Sequence, residues 1–190
     1  MNRPRPRPRP LSRLLIVLAA LAVSVLGLVG PATAAAPYCG ITWGSIPETD
    51  AGMSDRVTVT GVRAGQHACF DRLVIDLRGH PLGGWDVRYV PVVHRDGSGT
   101  PLPVLGGAAL QLVLHAPAYA DAGRPTLRVA DERAVVPVAG FLTLRQVAWA
   151  GTYEGYTTLA VGTRARLPFW VFVLPGTAGD RLVVDVAHRW

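Results

Sequence analysis

The chain has 190 residues, 49% of them hydrophobic and 17% charged, with a formal net charge of +6. Five of its 19 basic residues and none of its 13 acidic ones fall within residues 1–34, so the remainder carries only +1. That balance excludes a nucleic-acid-binding stripe, and the 156 residues after position 34 suffice for one domain with its own core.

Residues 1–13, "MNRPRPRPRPLSR", are basic and interrupted by proline, and residues 14–29, "LLIVLAALAVSVLGLV", are apolar or small. Gly30, Pro31 and "ATAAA" follow. A basic segment, an apolar segment and a small-x-small site make residues 1–34 a signal peptide, with cleavage expected after Ala34. A retained anchor is the rival reading, but sixteen apolar residues fall short of the roughly 20 that span a bilayer. Secretion to the cell envelope without stable membrane insertion is therefore expected. Cys39 follows Ala-Pro-Tyr rather than the small residue that precedes a lipid-attachment cysteine. With Cys69 as its one possible partner in an exported chain, a disulfide is expected, free thiols being the alternative. Residues 35–55 then form a segment tethered to a domain at 56–190. Within it "ETDAGMSD" (48–55) reads as a connecting loop.

The rest reads as strands. Val-, Leu-, Tyr- and Phe-rich runs alternate with Gly, Pro, Asp and Thr at short spacing. In order they are "RVTVTGVR" (56–63), "DRLVIDL" (71–77), "WDVRYVPVV" (85–93), "AALQLVLHA" (108–116), "LRQVAWAG" (144–151), "YEGYTTLAVG" (153–162), "LPFWVFVL" (167–174) and "DRLVVDV" (180–186). "RDGSGTP" (95–101) is a turn, 117–137 is irregular, and a short helix fits within 128–140. Strands without crossover helices predict an all-β, antiparallel β-sandwich of two similar sheets. Period-two alternation puts Leu73, Ile75 and Leu77 on one inner face, and Leu182, Val184 and Val186 on another. Trp85, Val87 and Tyr89 are likewise core candidates. "FWVFVL" has no polar side, so either residues 39–47 or a second copy is expected to cover it. A monomer is preferred to a dimer.

No catalytic, metal or cofactor constellation stands out. The five histidines form neither HxH nor HExxH, and Ser98 in "DGSGT" lacks the first glycine of a nucleophile elbow. A triad assembled only in space leaves a hydrolase as the third reading. Glu154 in "GTYEGY" lies between Tyr153 and Tyr156. It either accepts hydrogen bonds from a sugar or amide or pairs with an arginine at a strand edge. Trp43, Trp85, Trp149, Tyr153 and Tyr156 either stack on glycan rings or serve as the large core residues of a small sandwich.

"DRLVIDL" and "DRLVVDV" agree at five of seven positions. Arg and Asp four residues apart in one strand are about 13 Å apart and cannot pair with each other. If the two copies lie antiparallel with Val74 opposite Val183, Arg72 faces Asp185 and Asp76 faces Arg181. In separate sheets, the same residues would instead offer two polar patches to solvent or ligand. The repeat also suggests a pseudo-symmetric sandwich.

Several stretches together resemble the AMIN domain, and in particular AMIN-like proteins exported by actinobacteria. They are "CGITWGSIPE" (39–48), "TGVRAGQHACFDRLVIDLRG" (60–79), "VRYV" (87–90), "YEGYTTLAVG" (153–162), "LPFWVFVLPG" (167–176) and "RLVVDVAHRW" (181–190). The resemblance implies a β-sandwich with two similar sheets and no catalytic or metal residue. AMIN domains accompany cell-wall amidases and secretion-pore proteins and target them to peptidoglycan. With 156 residues after position 34, this chain is expected to stand alone, without an attached hydrolase. The motif carries over to Arg72, Asp76, Arg181 and Asp185, which join Glu154 and Tyr153 as candidate ligand-binding residues. The expected function is a secreted, non-catalytic envelope module that recognises peptidoglycan or another wall glycan and needs no cofactor. The alternative is an envelope protein-interaction scaffold using the apolar "FWVFV" strand.

Overall fold

The computed structural model describes residues 37–52 and 56–190. The expected signal peptide lies outside the described residues. Those residues from Pro37 onward form one compact unit. Two antiparallel sheets pack face to face, as the alternating runs predict. One is five-stranded, in the order β1 (Glu48–Asp50), β4 (Trp85–Val90), β7 (Ala108–Leu114), β9 (Tyr156–Thr163), β8 (Leu144–Tyr153). The other is four-stranded, in the order β10 (Phe169–Leu174), β11 (Arg181–Ala187), β3 (Phe70–Arg78), β2 (Thr58–Gln66). β5 (Val93–His94) and β6 (Pro101–Leu102) pair with each other as a third, two-stranded ribbon.

The core follows from the pleat. Leu73, Ile75 and Leu77 of β3 and Leu182, Val184 and Val186 of β11 face inward, all at most 6% exposed. They meet Val87 of β4, Leu110, Leu112 and Leu114 of β7, and Leu159 and Val161 of β9. Burying each such side chain contributes about 1.5–3 kcal/mol relative to exposure, the main term holding the two layers together. Trp85 and Tyr89 close the flank of this core, half-buried rather than fully enclosed. The Tyr89 hydroxyl donates to the Leu167 carbonyl at 2.8 Å. Burial pushes that phenol's pKa up.

Three local expectations are corrected. "ETDAGMSD" is not wholly loop, because Glu48–Asp50 pairs with Trp85–Val87 as an edge strand. No helix forms within 128–140, where turns around Asp131 and Ala139 keep the chain irregular. "YEGYTTLAVG" is not one strand, because Glu154 and Gly155 are the two-residue tip of the β8–β9 hairpin.

Cys39 and Cys69 form the disulfide, closing a loop of 30 residues. In the chain-entropy model such a loop contributes roughly 3–4 kcal/mol. The tethered segment runs along the edge of β10 instead of covering its outer face. Phe169 N–H donates to the Gly44 carbonyl at 2.7 Å, and Val171 N–H donates to Glu48 Oε2 at 3.0 Å. Both occupy backbone donors that would otherwise template pairing with another chain. Burial pushes the Glu48 carboxyl up, against the opposing pull of the Val171 N–H. Trp170 remains 39% exposed on the outer face. The edge of β8 is covered in the same manner by residues 132–135, through Trp149 N–H to Glu132 and Val135 N–H to the Val147 carbonyl.

Candidate functional site

The six candidate residues fall in two places. Arg72, Asp76, Arg181 and Asp185 share the outer face of the four-stranded sheet. The two copies of the repeated strand are neighbours there, with Val74 opposite Val183, Arg72 opposite Asp185 and Asp76 opposite Arg181. Arg72 grips Asp185 with two parallel bonds of 2.7 Å. Asp185 is fully buried, while the Arg72 side chain is 27% exposed. The guanidinium also lies 5.1 Å from the Phe70 ring centroid and 5.5 Å from that of Phe172. Hydrogen bonding to Asp185 holds it above its ordinary pKa.

The second expected pair does not form. Asp76 is taken from the other side by Arg63 of β2, through Nε at 2.6 Å and Nη2 at 2.7 Å. A guanidinium fork occupies both carboxylate oxygens at once, which leaves no bidentate site for Arg181. Arg181 makes no ion pair among the described residues. On this face the charged groups thus mostly satisfy one another.

Tyr153 and Glu154 lie elsewhere, at a cleft of about 460 Å³ on the outer face of the five-stranded sheet. The cleft is built by the β5–β6 ribbon folding onto that sheet. Val93 and Leu102 of the ribbon settle on Ala148, Ala150 and Ala160. Larger side chains at those three positions would lift the ribbon away. A side chain at Gly162 would place its Cβ 1.9 Å from the Leu105 carbonyl oxygen, so the chain leaving the ribbon also needs glycine beneath it.

The ribbon's turn delivers Asp96 to the cleft. Its N–H donates to the Ala150 carbonyl at 2.9 Å, and its Oδ1 accepts from the Thr158 hydroxyl at 2.8 Å. Asp96 Oδ2 is buried and meets no hydrogen-bond donor among the described residues. Leaving a buried acceptor unsatisfied costs about 1–3 kcal/mol. The expectation from sequence treated 95–101 only as a turn and missed this residue.

Tyr153 and Tyr156 face each other across the hairpin and are 53% and 42% exposed. His115 packs edge-on against Tyr156 at 4.9 Å between centroids. Gln111, His94 and Arg95 complete the polar lining. Glu154 forms no ion pair among the described residues, so the strand-edge pairing with arginine is absent. Its φ is +49° and that of Gly155 is +86°. A two-residue hairpin loop with positive φ at both centres favours Asn-Gly or Gly-Gly. Glutamate at the first centre is strained by about 1–2 kcal/mol, which makes its side chain a functional candidate.

Two further residues escaped the sequence reading. The leading aspartate of each repeat faces inward with the apolar residues. Asp71 accepts from Thr143 N–H at 2.5 Å and Leu144 N–H at 2.9 Å, and Asp180 accepts from Leu82 N–H at 2.9 Å. Period-two alternation already assigns them to that face; their charge argued against it.

The family model of the AMIN-like domain matches residues 57–188. No curated protein and no solved structure matches the chain.

Proposed function

We propose, from the premise that the chain belongs to the AMIN-like domain family, that it is a non-catalytic module binding wall glycan, with peptidoglycan as the polymer. Domains of this family are generally non-catalytic, envelope-associated binding modules. The observation that carries the glycan reading is the pair of exposed tyrosines beside Glu154 in a concave site. A sugar ring offers an apolar C–H face for Tyr153 or Tyr156, and its hydroxyl or acetamido donors would reach Glu154 or Gln111. Each contact is weak, and a repeating polymer multiplies them. Residues 1–34 are read as the cleaved signal that delivers a monomer to the envelope.

Cosedimentation of the full chain with purified insoluble peptidoglycan tests this. Replacing Tyr153 and Tyr156 together by Ala is expected to weaken binding at least tenfold while leaving the melting temperature within a few degrees. If the unaltered protein stays in the supernatant at low salt, the reading fails. Binding that survives this double change but is lost on Trp170→Ala would instead favour the exposed aromatic face of β10, the surface of the scaffold reading.

Glu154→Asn separates stability from recognition. Relief of strain at positive φ is expected to stabilise the fold by about 0.5–1 kcal/mol. Polymer binding should fall at the same time. A chemical-denaturation curve and the same sedimentation assay read the two effects.

A further inference from the structure

Beside the cleft, on the far side of Arg95, the ribbon and the 133–139 segment enclose a larger pocket of about 770 Å³ over β8. Eleven of its fifteen lining residues are apolar, three are arginines and none carries a carboxylate. Its volume falls within the range of preformed small-molecule sites. The walls are held open by proline and by one side chain. Pro101 and Pro103 stand on one wall and Pro137 on the other. Gln146, on the floor, ties the walls together. Its Oε1 accepts from Leu105 N–H at 2.7 Å, and its Nε2 donates to the Arg133 carbonyl at 2.9 Å.

The arginines differ in what they have left to offer. Arg95 is paired with Glu132 at 3.0 Å. Arg145 is turned onto the carbonyls of Phe141, Leu142 and Leu144. The exposed Arg133 has no ion pair among the described residues. A largely apolar trough with an arginine free of ion pairs at its rim complements a molecule that is apolar along its length and anionic at one end.

We infer that this pocket binds a long-chain carboxylate, its acyl chain between the proline walls and its head on Arg133. Each methylene buried strengthens binding, so affinity grows with chain length until the trough is filled. The pocket shares only Arg95 with the glycan cleft, and Arg133 and Ala134 line the larger pocket alone.

Isothermal titration of the full chain with laurate, decanoate and dodecyltrimethylammonium tests this. Laurate should bind one per chain and roughly tenfold more tightly than decanoate. The cationic amphiphile should bind at least tenfold more weakly than laurate. Arg133→Glu should cost laurate more than tenfold. Ala134→Trp, which fills the trough from an exposed position, should abolish binding without lowering the melting temperature. Laurate binding unchanged in both variants would put the amphiphile elsewhere on the chain and overturn the inference. Equal affinity for the cationic amphiphile would overturn it too. So would failure of laurate to bind while light scattering shows a dimer that Ala134→Trp disrupts, because the trough would then hold a second copy. Peptidoglycan sedimentation should be unaffected by either variant.

Discussion

Arg72→Met is expected to destabilise the domain by about 3–5 kcal/mol, although Arg72 is itself partly exposed. The cost lies in what it leaves behind. Asp185 is fully buried and has both oxygens on the Arg72 guanidinium. Without that partner a charge remains in a low-dielectric site, flanked in the chain by the buried Val184 and Val186. Total stabilities of 5–15 kcal/mol make such a loss visible as a large drop in denaturation midpoint. The double change Arg72→Met with Asp185→Leu removes charge and counter-charge together. It should recover most of the loss, because replacing a buried ion pair by apolar residues is often neutral or better. Asp76→Ala provides the contrast. Its partner Arg63 is 58% exposed, so breaking that pair is expected to cost at most about 1 kcal/mol. Urea denaturation of the four proteins measures all of this. Equal small losses for Arg72→Met and Asp76→Ala would refute a structural ion pair at Asp185 and return Arg72 to the pool of free ligand-binding groups.

The sandwich was legible because alternation is a local property. Leu73, Ile75 and Leu77 announce an inner face through spacing alone, and a two-layer antiparallel fold follows. The pairing of Arg72 with Asp185 was also legible, since two like-patterned strands side by side have one register that matches their charges. Arg63 was not. It lies in another run, and its capture of Asp76 depends on β2 being the neighbour of β3, which spacing does not reveal. Asp96 was invisible for a similar reason. "RDGSGT" reads as a turn, and only the folding of that turn onto Ala148, Ala150 and Ala160 brings its carboxylate to Tyr153 and Glu154. The arginine-rimmed pocket likewise arises where residues 95–105 meet 133–147, two stretches far apart in sequence. What pattern reading recovers is what the pleat dictates. What it misses is where loops land.

The leading aspartate of the repeat carries the other large effect. Asp71→Ala is expected to cost about 4 kcal/mol or more and to expose the joint between the two sheets. Asp71 belongs to β3, yet its Oδ2 receives the N–H groups of Thr143 and Leu144 at the start of β8 in the opposite sheet. Its Oδ1 lies 3.0 Å from His188 Nε2 beyond the end of β11. Three contacts thus converge on one fully buried carboxylate. Bonds to a charged acceptor are worth about 1.5–3 kcal/mol each, and truncation leaves two buried backbone donors without a partner. Asp71→Asn keeps one carbonyl oxygen for the two N–H groups and turns an amide donor toward His188. It should lose only about 1–2 kcal/mol, a hydrogen bond's worth rather than the whole cluster. Hydrogen exchange locates the effect. In Asp71→Ala the amides of Thr143 and Leu144 should exchange faster than the rest of β8, whereas in Asp71→Asn they should stay protected. If both variants lose stability equally, with no local change in exchange, the carboxylate is merely a tolerated buried polar group, and the inter-sheet clamp assigned to it is wrong.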